Sequence, residues 1–384
     1  MKTDRLLKEY GFDPATQMRA RAYQNARLRM AAVRYAALAV ILLLFAAIAS
    51  EGLLRSLGGG PASGWGLNAL YVLVFAIGLS IADLPFDLWG YSIERRYGLS
   101  TQGPGSFFAD WLKSGGINLL ILIIAFPAIY VGFKESNLWW VISWAIATAF
   151  IVFMGFISPI LLMPLFFKFE PLNDEELVGR LKKLAEKAGV KVLGVSKMKA
   201  AAKTKRAVGA LTGIGATRRI ILSDTLLDNY TPDEIETVIA HELGHHVHKD
   251  IWKGTFSFSA MALISLLAVH LALPPLARTL GLGMGIETLP LFLIILGGIF
   301  AMLKPLYNTI SRRFEGEADQ YALELAQLPE AQASVDVKLS DQNLRYAAPH
   351  PLVEALFYDH PAGIKRVRRA LGFAESRSKS NSGS

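Results

Sequence analysis

The hexapeptide HELGHH at residues 241–246 is the part of this chain best equipped for chemistry. Successive residues of a helix turn by about 100°, so His241 and His245 share one face a turn apart, where both imidazoles can reach one metal ion at about 2 Å. Glu242 stands beside that pair without joining it, as a general base acting on an activated water must. With only seven histidines in 384 residues, this spacing is rare by chance. The competing reading is a solvated, histidine-rich helix, and a further ligand decides between the two. SRRFEGEADQYAL (311–323) sets Glu315 and Asp319 four apart on a helix. One carboxylate can bind the metal while the other orients a ligand imidazole. Two acids at this spacing usually mark only a solvated face, so their value depends on being brought to the histidines. The chain has no cysteine, so thiolate metal sites, disulfides and cysteine nucleophiles are excluded. Nitrogen and oxygen donors favour one Zn2+ per chain, and two His, one Glu and an open position form the catalytic arrangement of metallopeptidases.

Positioning these groups requires a membrane. Hydrophobic residues make up 52% of the chain, charged ones 19%, and mean hydropathy is +0.35, too little charge for a water-facing shell throughout. Six nearly charge-free intervals predict spanning helices: four between residues 31 and 167, then a hairpin over 254–303. Pro159 and Pro164 are expected to kink or end the fourth span. Eight basic residues before the first span place residues 1–30 on the cytoplasmic side. Counting alternate loops then puts 168–253 and 304–372 there too. The hairpin separating His245 from Glu315 goes out and back, which returns both half-sites to one face. The net charge of +8, with no nucleic-acid motif, reads as basic loops beside anionic lipid.

Within the soluble region, Asn173 and Glu176 predict a capping box opening a helix that ends near Gly189. VKVLGVSK (190–197) and RRIILS (218–223) read as strands. Thr231, Pro232 and Glu234 open the helix that carries HELGHH, and a second helix is expected over Leu306–Leu325. His246, His248, His270 and His350 read as surface or packing residues, Trp139 and Trp140 as an interfacial belt, and residues 373–384 as a flexible tail. The fold class expected is an α-helical polytopic membrane protein with an α+β zinc metallopeptidase domain split by a transmembrane hairpin.

HELGHH after RRIILSDTLL, with FEGEAD some seventy residues later, resembles the integral-membrane zinc metalloproteases typified by the CAAX prenyl proteases. LPFDLWGYSIERRYGLSTQ (84–102), PLFFKFEPL (164–172) and ALFYDHP (355–361) are similar to family phrases in the same order. The resemblance implies His241, His245 and Glu315 as zinc ligands, Glu242 as catalytic base and Asp319 as a partner behind the ligands. It also implies that His360 stands over the site to meet the tetrahedral oxyanion. Two departures stand out. Val208, Gly209 and Ala210 replace the family's Asn-Ala-Tyr or Asn-Ala-Ala strand, which is expected to bind substrate backbone, and six spans replace seven, as in a shorter prokaryotic branch. The implied partners are the lipid bilayer and a peptide or protein substrate, lipidated or membrane-bound, and no nucleic acid. Localisation is expected to be multi-pass, in the inner membrane of a prokaryote. The alternatives are a quality-control protease of the same zinc class and an idle zinc-binding scaffold.

Overall fold

Inside a bilayer, backbone N–H and C=O groups find no water, so a charge-free run satisfies them only by becoming helix. The computed structural model describes residues 2–60, 63–213 and 218–382. Met1, Gly383 and Ser384, part of the terminal segments named above, lie outside the described residues. Among the described residues six helices are long and apolar enough to cross a membrane. The N-terminal four are α2 (Pro14–Ile48), α4 (Trp65–Arg96), α5 (Pro104–Glu135) and α6 (Trp139–Ile157), the last prolonged to Phe166. The hairpin pair are α11 (Asp250–Thr279) and α12 (Leu289–Ala326). Their outward apolar residues include Ile146, Phe153, Phe256 and Met302, as lipid-facing helices require. Short helices α1 (Lys2–Glu9) and α3 (Ser50–Ser56) flank α2.

Pro159 does not stop the fourth span. It lies in a π-helical turn, Ser158–Leu162, followed by α7 (Met163–Phe166), a local widening that absorbs the lost proline N–H. The chain then enters a four-stranded sheet of order β1-β2-β4-β3: β1 (Lys168–Pro171), β2 (Gly194–Lys199), β3 (Gly209–Thr212) and β4 (Arg219–Ser223), the last running into the single turn α9 (Asp224–Leu227). β2 and β4 run parallel, the outer pairs antiparallel, and β3 is an edge. Alternation gives the sheet two faces. Val195, Ile220 and Leu222 pack with Leu177, Leu181 and Leu184 of α8 (Glu175–Lys187) and Ile235, Ile239 and Leu243 of α10 (Pro232–Val247). Phe169, Met198 and Ile221 turn the other way, toward Met163 and Phe167.

Several expectations shift. The cap of α8 is Asp174, which accepts from the Leu177 N–H at 3.0 Å, not Asn173. The strand expected over 190–197 begins four residues later. The helix expected from Leu306 is the end of one continuous 38-residue α12, about 57 Å long, with Pro305 inside it. Residues 373–382 continue α15 (Gly363–Ser382) as helix. Trp139 is buried and donates from Nε1 to His270 Nδ1 at 3.1 Å, so it packs the interior of the bundle rather than an interfacial belt. The N-terminal segment folds onto the far end of the chain: Leu7 and Phe12 pack with Ala333, Ala347 and Val367, joining α13 (Pro329–Gln342) and α15.

Candidate metal centre and active-site cavity

Helix α10 starts where its sequence says it should. Thr231 Oγ1 accepts from the Glu234 N–H at 3.3 Å while Glu234 Oε2 accepts from the Thr231 N–H at 2.9 Å, and Pro232 fills the first turn. Burial of Ile235, Ile239 and Leu243 fixes its rotation, which turns His241, Glu242 and His245 toward α12 and the cavity. The two helices approach closely at Gly244. A Cβ there would stand 3.1 Å from Ala318 Cα and 3.2 Å from Ala318 O, so only glycine lets α12 come near enough to share a metal.

At that crossing the donor atoms of His241, His245 and Glu315 lie within 4.8 Å of one another. His241 Nε2 is 3.1 Å from His245 Nε2 and 3.3 Å from Glu315 Oε2, and His245 Nε2 is 3.4 Å from Glu315 Oε1. Donors about 2.05 Å from a tetrahedral zinc are separated by about 3.3 Å, so each of these spacings suits two donors on one ion, with Glu315 turning a different carboxylate oxygen to each imidazole. Glu315 Oε2 is buried with no hydrogen-bond donor of its own. A cation would satisfy it. The charge environment favours a cation: burial alone would lower the His241 imidazole, but the Asp319 and Glu315 carboxylates beside it overcome this and push the group up to about 10. The donor set therefore fits a bound divalent ion, and zinc in particular.

Each of the three candidate donors has a polar neighbour of its own. His241 Nδ1 lies 3.0 Å from Asp319 Oδ1, and Asp319 accepts from Arg366 Nε at 3.0 Å, Arg366 at 2.6 Å and Arg369 at 2.7 Å. His245 Nδ1 lies 3.0 Å from Asp250 Oδ2. His360, in the loop between α14 (Pro351–Phe357) and α15, reaches Glu315 Oε1 with Nε2 at 3.2 Å. Its Nδ1 is 2.8 Å from Asp359 Oδ1, an interaction that holds the Asp359 carboxyl down at about 2. Glu242 has no such partner among the described residues. Burial raises its carboxyl and the neighbouring imidazoles oppose the rise. Sequence reasoning missed Asp250, Asp359, Arg366 and Arg369. For Asp250 a signal exists in HKD, directly after the helix end; the arginines, about fifty residues beyond Asp319, offer none.

The centre opens into a cavity of about 710 Å³ whose walls include β3, α2, α13 and the His360 loop. Of the strand residues predicted to meet substrate, Val208 and Gly209 line it and Ala210 does not. Gly209 is required where it stands, since a Cβ would approach Val238 Cγ1 to 2.7 Å. The other four histidines are not among the donors: His246 is half-buried in the last turn of α10, His248 packs on Tyr321, His270 on Trp139 and Trp140, and His350 caps α14. The acids at the end of α4 are tied up in ion pairs, Asp83 and Asp87 with Arg34, and Glu94 with Arg206 at 3.0 Å.

Known proteins resemble this chain over most of its length. Residues 171–374 match the model of "Peptidase family M48", and residues 5–168 match "CAAX prenyl protease N-terminal, five membrane helices". A CAAX prenyl protease 1 homolog of Arabidopsis thaliana is 30% identical over 321 residues, covering 79% of this chain and 74% of the relative. The uncharacterized metalloprotease YhfN of Bacillus subtilis is 29% identical over 310 residues, 78% of this chain and 72% of the relative. The crystal structure of S. mikatae Ste24p superposes with a TM-score of 0.79 over 95% of this chain and 90% of that one, at 20% identity.

Proposed function

The chain belongs to peptidase family M48, of the CAAX prenyl protease type, and is thus a membrane metalloendopeptidase; from that premise we propose that it is a zinc enzyme cutting peptides near a C-terminus or close to the membrane. The observation that carries this is the convergence of two imidazole nitrogens and one buried carboxylate at 3.1–3.4 Å, with an unpaired Glu242 beside them.

His241, His245 and Glu315 hold the ion, one per chain. Bound there, zinc supplies Lewis acidity that polarises the scissile carbonyl and acidifies water. Glu242, free of competing hydrogen bonds, takes the proton of the attacking water and delivers it to the leaving amine. His360 is placed to donate from Nε2 to the oxygen of the tetrahedral carbon once it releases Glu315. Asp319 and Asp250 fix the imidazoles so that their Nε2 atoms face the ion. The open edge of β3, which begins at Gly209, offers backbone groups to an extended peptide, while Val208, whose N–H and C=O are both engaged by Ser223 at 2.9 Å, lends its side chain to the cavity wall. An apolar strand there, without an asparagine side chain, leaves side-chain preference to the rest of the cavity.

Glu242→Gln should retain about one zinc per chain by elemental analysis while losing roughly two to four orders of magnitude in peptidase rate. Glu315→Ala should lose the zinc. Reversed results would overturn both roles. Product mapping on a membrane-anchored peptide should find one defined cut, whereas many fragments would favour the quality-control reading. We place the centre on the cytoplasmic side of a prokaryotic inner membrane. In a chain free of native cysteine, an impermeant thiol reagent on intact cells should label Ser136→Cys and spare Lys187→Cys and Gln327→Cys. Labelling of only one of the latter two would contradict a shared site.

A further inference from the structure

A second cavity, of about 690 Å³, lies far from the ligand set in the fold, where the fourth span ends against the sheet. One wall is the π-helical turn and α7, through Pro159, Ile160, Pro164 and Phe167. The other is the sheet face opposite α8 and α10. Strand pairing sets Arg219 beside Thr212 and Ile221 beside Ser196, and all four line the cavity. Arg219 therefore projects from the same face as Ile221, toward the end of the membrane span. Lys168, the first residue after the span, lines it too. Neither cation makes an ion pair or side-chain hydrogen bond among the described residues, and no acidic residue lines the cavity. Lys199 nearby is already paired with Glu170 at 2.8 Å. Beside the cavity Ile160, Leu161 and Leu165 are exposed apolar residues on the span itself.

An apolar slot continuous with an apolar, outward-facing helix and closed by two unpaired cations where that span ends matches one class of molecule. We propose that this cavity binds a single phospholipid with an anionic headgroup, its phosphate between Lys168 and Arg219 and an acyl chain along Pro159, Ile160 and Pro164. The site would tie the sheet to the end of the span by a lipid bridge. It would therefore set how the β3 edge lies relative to the membrane. The π-helical turn contributes by opening the slot, since a regular α-helical turn is narrower.

The test uses the full chain in nanodiscs of equal parts phosphatidylglycerol and phosphatidylcholine, released into detergent and examined by native mass spectrometry. Wild type should keep about one phosphatidylglycerol more than Lys168→Gln/Arg219→Gln, a loss of about thirtyfold in affinity for two interfacial cations. Lys168→Arg/Arg219→Lys should retain the lipid, and Lys182→Gln/Lys183→Gln on α8 should leave it unchanged. Inorganic phosphate should not displace it. Equal phosphatidylglycerol retention by the double Gln variant, or retention of phosphatidylcholine as readily as phosphatidylglycerol, would overturn the proposal. So would displacement by phosphate, which would reduce the site to a free-anion contact. Zinc content is read in the same samples, so failure of the lipid site and failure of the metal centre are separable.

Discussion

The two imidazoles of the proposed metal centre are each backed by an aspartate, but the aspartates are held in different ways. Asp319, behind His241, is fully buried in the middle of the peptidase core and accepts three hydrogen bonds from Arg366 and Arg369. Arg366 also faces the buried Asp336 at 3.3 Å. Asp250, behind His245, is the first residue of α11 and is met by Lys253 at 2.9 Å, a side chain 43% exposed. Its position is set mainly by the backbone: Lys249 adopts φ 57, which breaks α10 and restarts the chain as α11 with Asp250 in the first turn. One support is thus a charge network that the fold cannot lose, and the other is a local turn whose main work is to aim a ring.

The sharpest way to break this contrast is Asp319→Ala. It would strand Arg366 and Arg369 in the interior, and removing one partner of a buried ion network costs about 3–5 kcal/mol. We expect a large fall in thermal midpoint for metal-free protein as well as for holoenzyme, with Asp319→Asn intermediate. An unfolding free energy within about 1 kcal/mol of wild type would show that the network is solvated and that the two aspartates are equivalent.

Asp250→Asn tests the other half. The amide keeps the size of the side chain but not its charge, and changes of this kind behind a ligand histidine weaken metal binding by about 10–100-fold. Stability of the metal-free protein should change by less than about 1 kcal/mol, because Lys253 remains solvated. Competition with a chelator measures the first quantity and denaturant titration the second. A loss of apo stability as large as that of Asp319→Ala would erase the distinction.

The same contrast marks what could be read from the chain. His241, Glu242 and His245 were legible because their relation is local, a helix face three to four residues wide. Glu315 and Asp319 were legible for the same reason, and the return of α12 to α10 followed from counting an even number of spans. The capping box at Thr231 was legible because its partners are three residues apart. Arg366 and Arg369 were not, since nothing in sequence ties a C-terminal basic run to a carboxylate about fifty residues earlier. Neither was the cap of α8, where Asn173 and Asp174 are both competent and only the backbone chooses. Trp139 misled because a tryptophan near the start of a span ordinarily belongs to the interface; here His270 offers its indole N–H a partner inside the bundle.

The contact on which both supports depend is the close crossing of α10 and α12, and Gly244→Ala probes it with the smallest change. The added Cβ would meet Ala318 Cα at 3.1 Å and Ala318 O at 3.2 Å, backbone atoms that cannot rotate away. Overpacking of this kind costs about 1–3 kcal/mol, and replacing a mid-helix glycine by alanine returns up to about 1 kcal/mol. A net loss of about 1 kcal/mol is expected, with weaker metal binding because the half-sites move apart while Asp319 and Asp250 keep their partners. Gly254→Ala on α11, where the nearest atom to the new Cβ is Tyr307 Oη at 3.9 Å, serves as the control and should cost nothing. If Gly244→Ala matched that control in both stability and metal affinity, the spacing between the two helices would be adjustable. The pre-set distances of 3.1–3.4 Å among the ligand atoms would then owe nothing to the glycine.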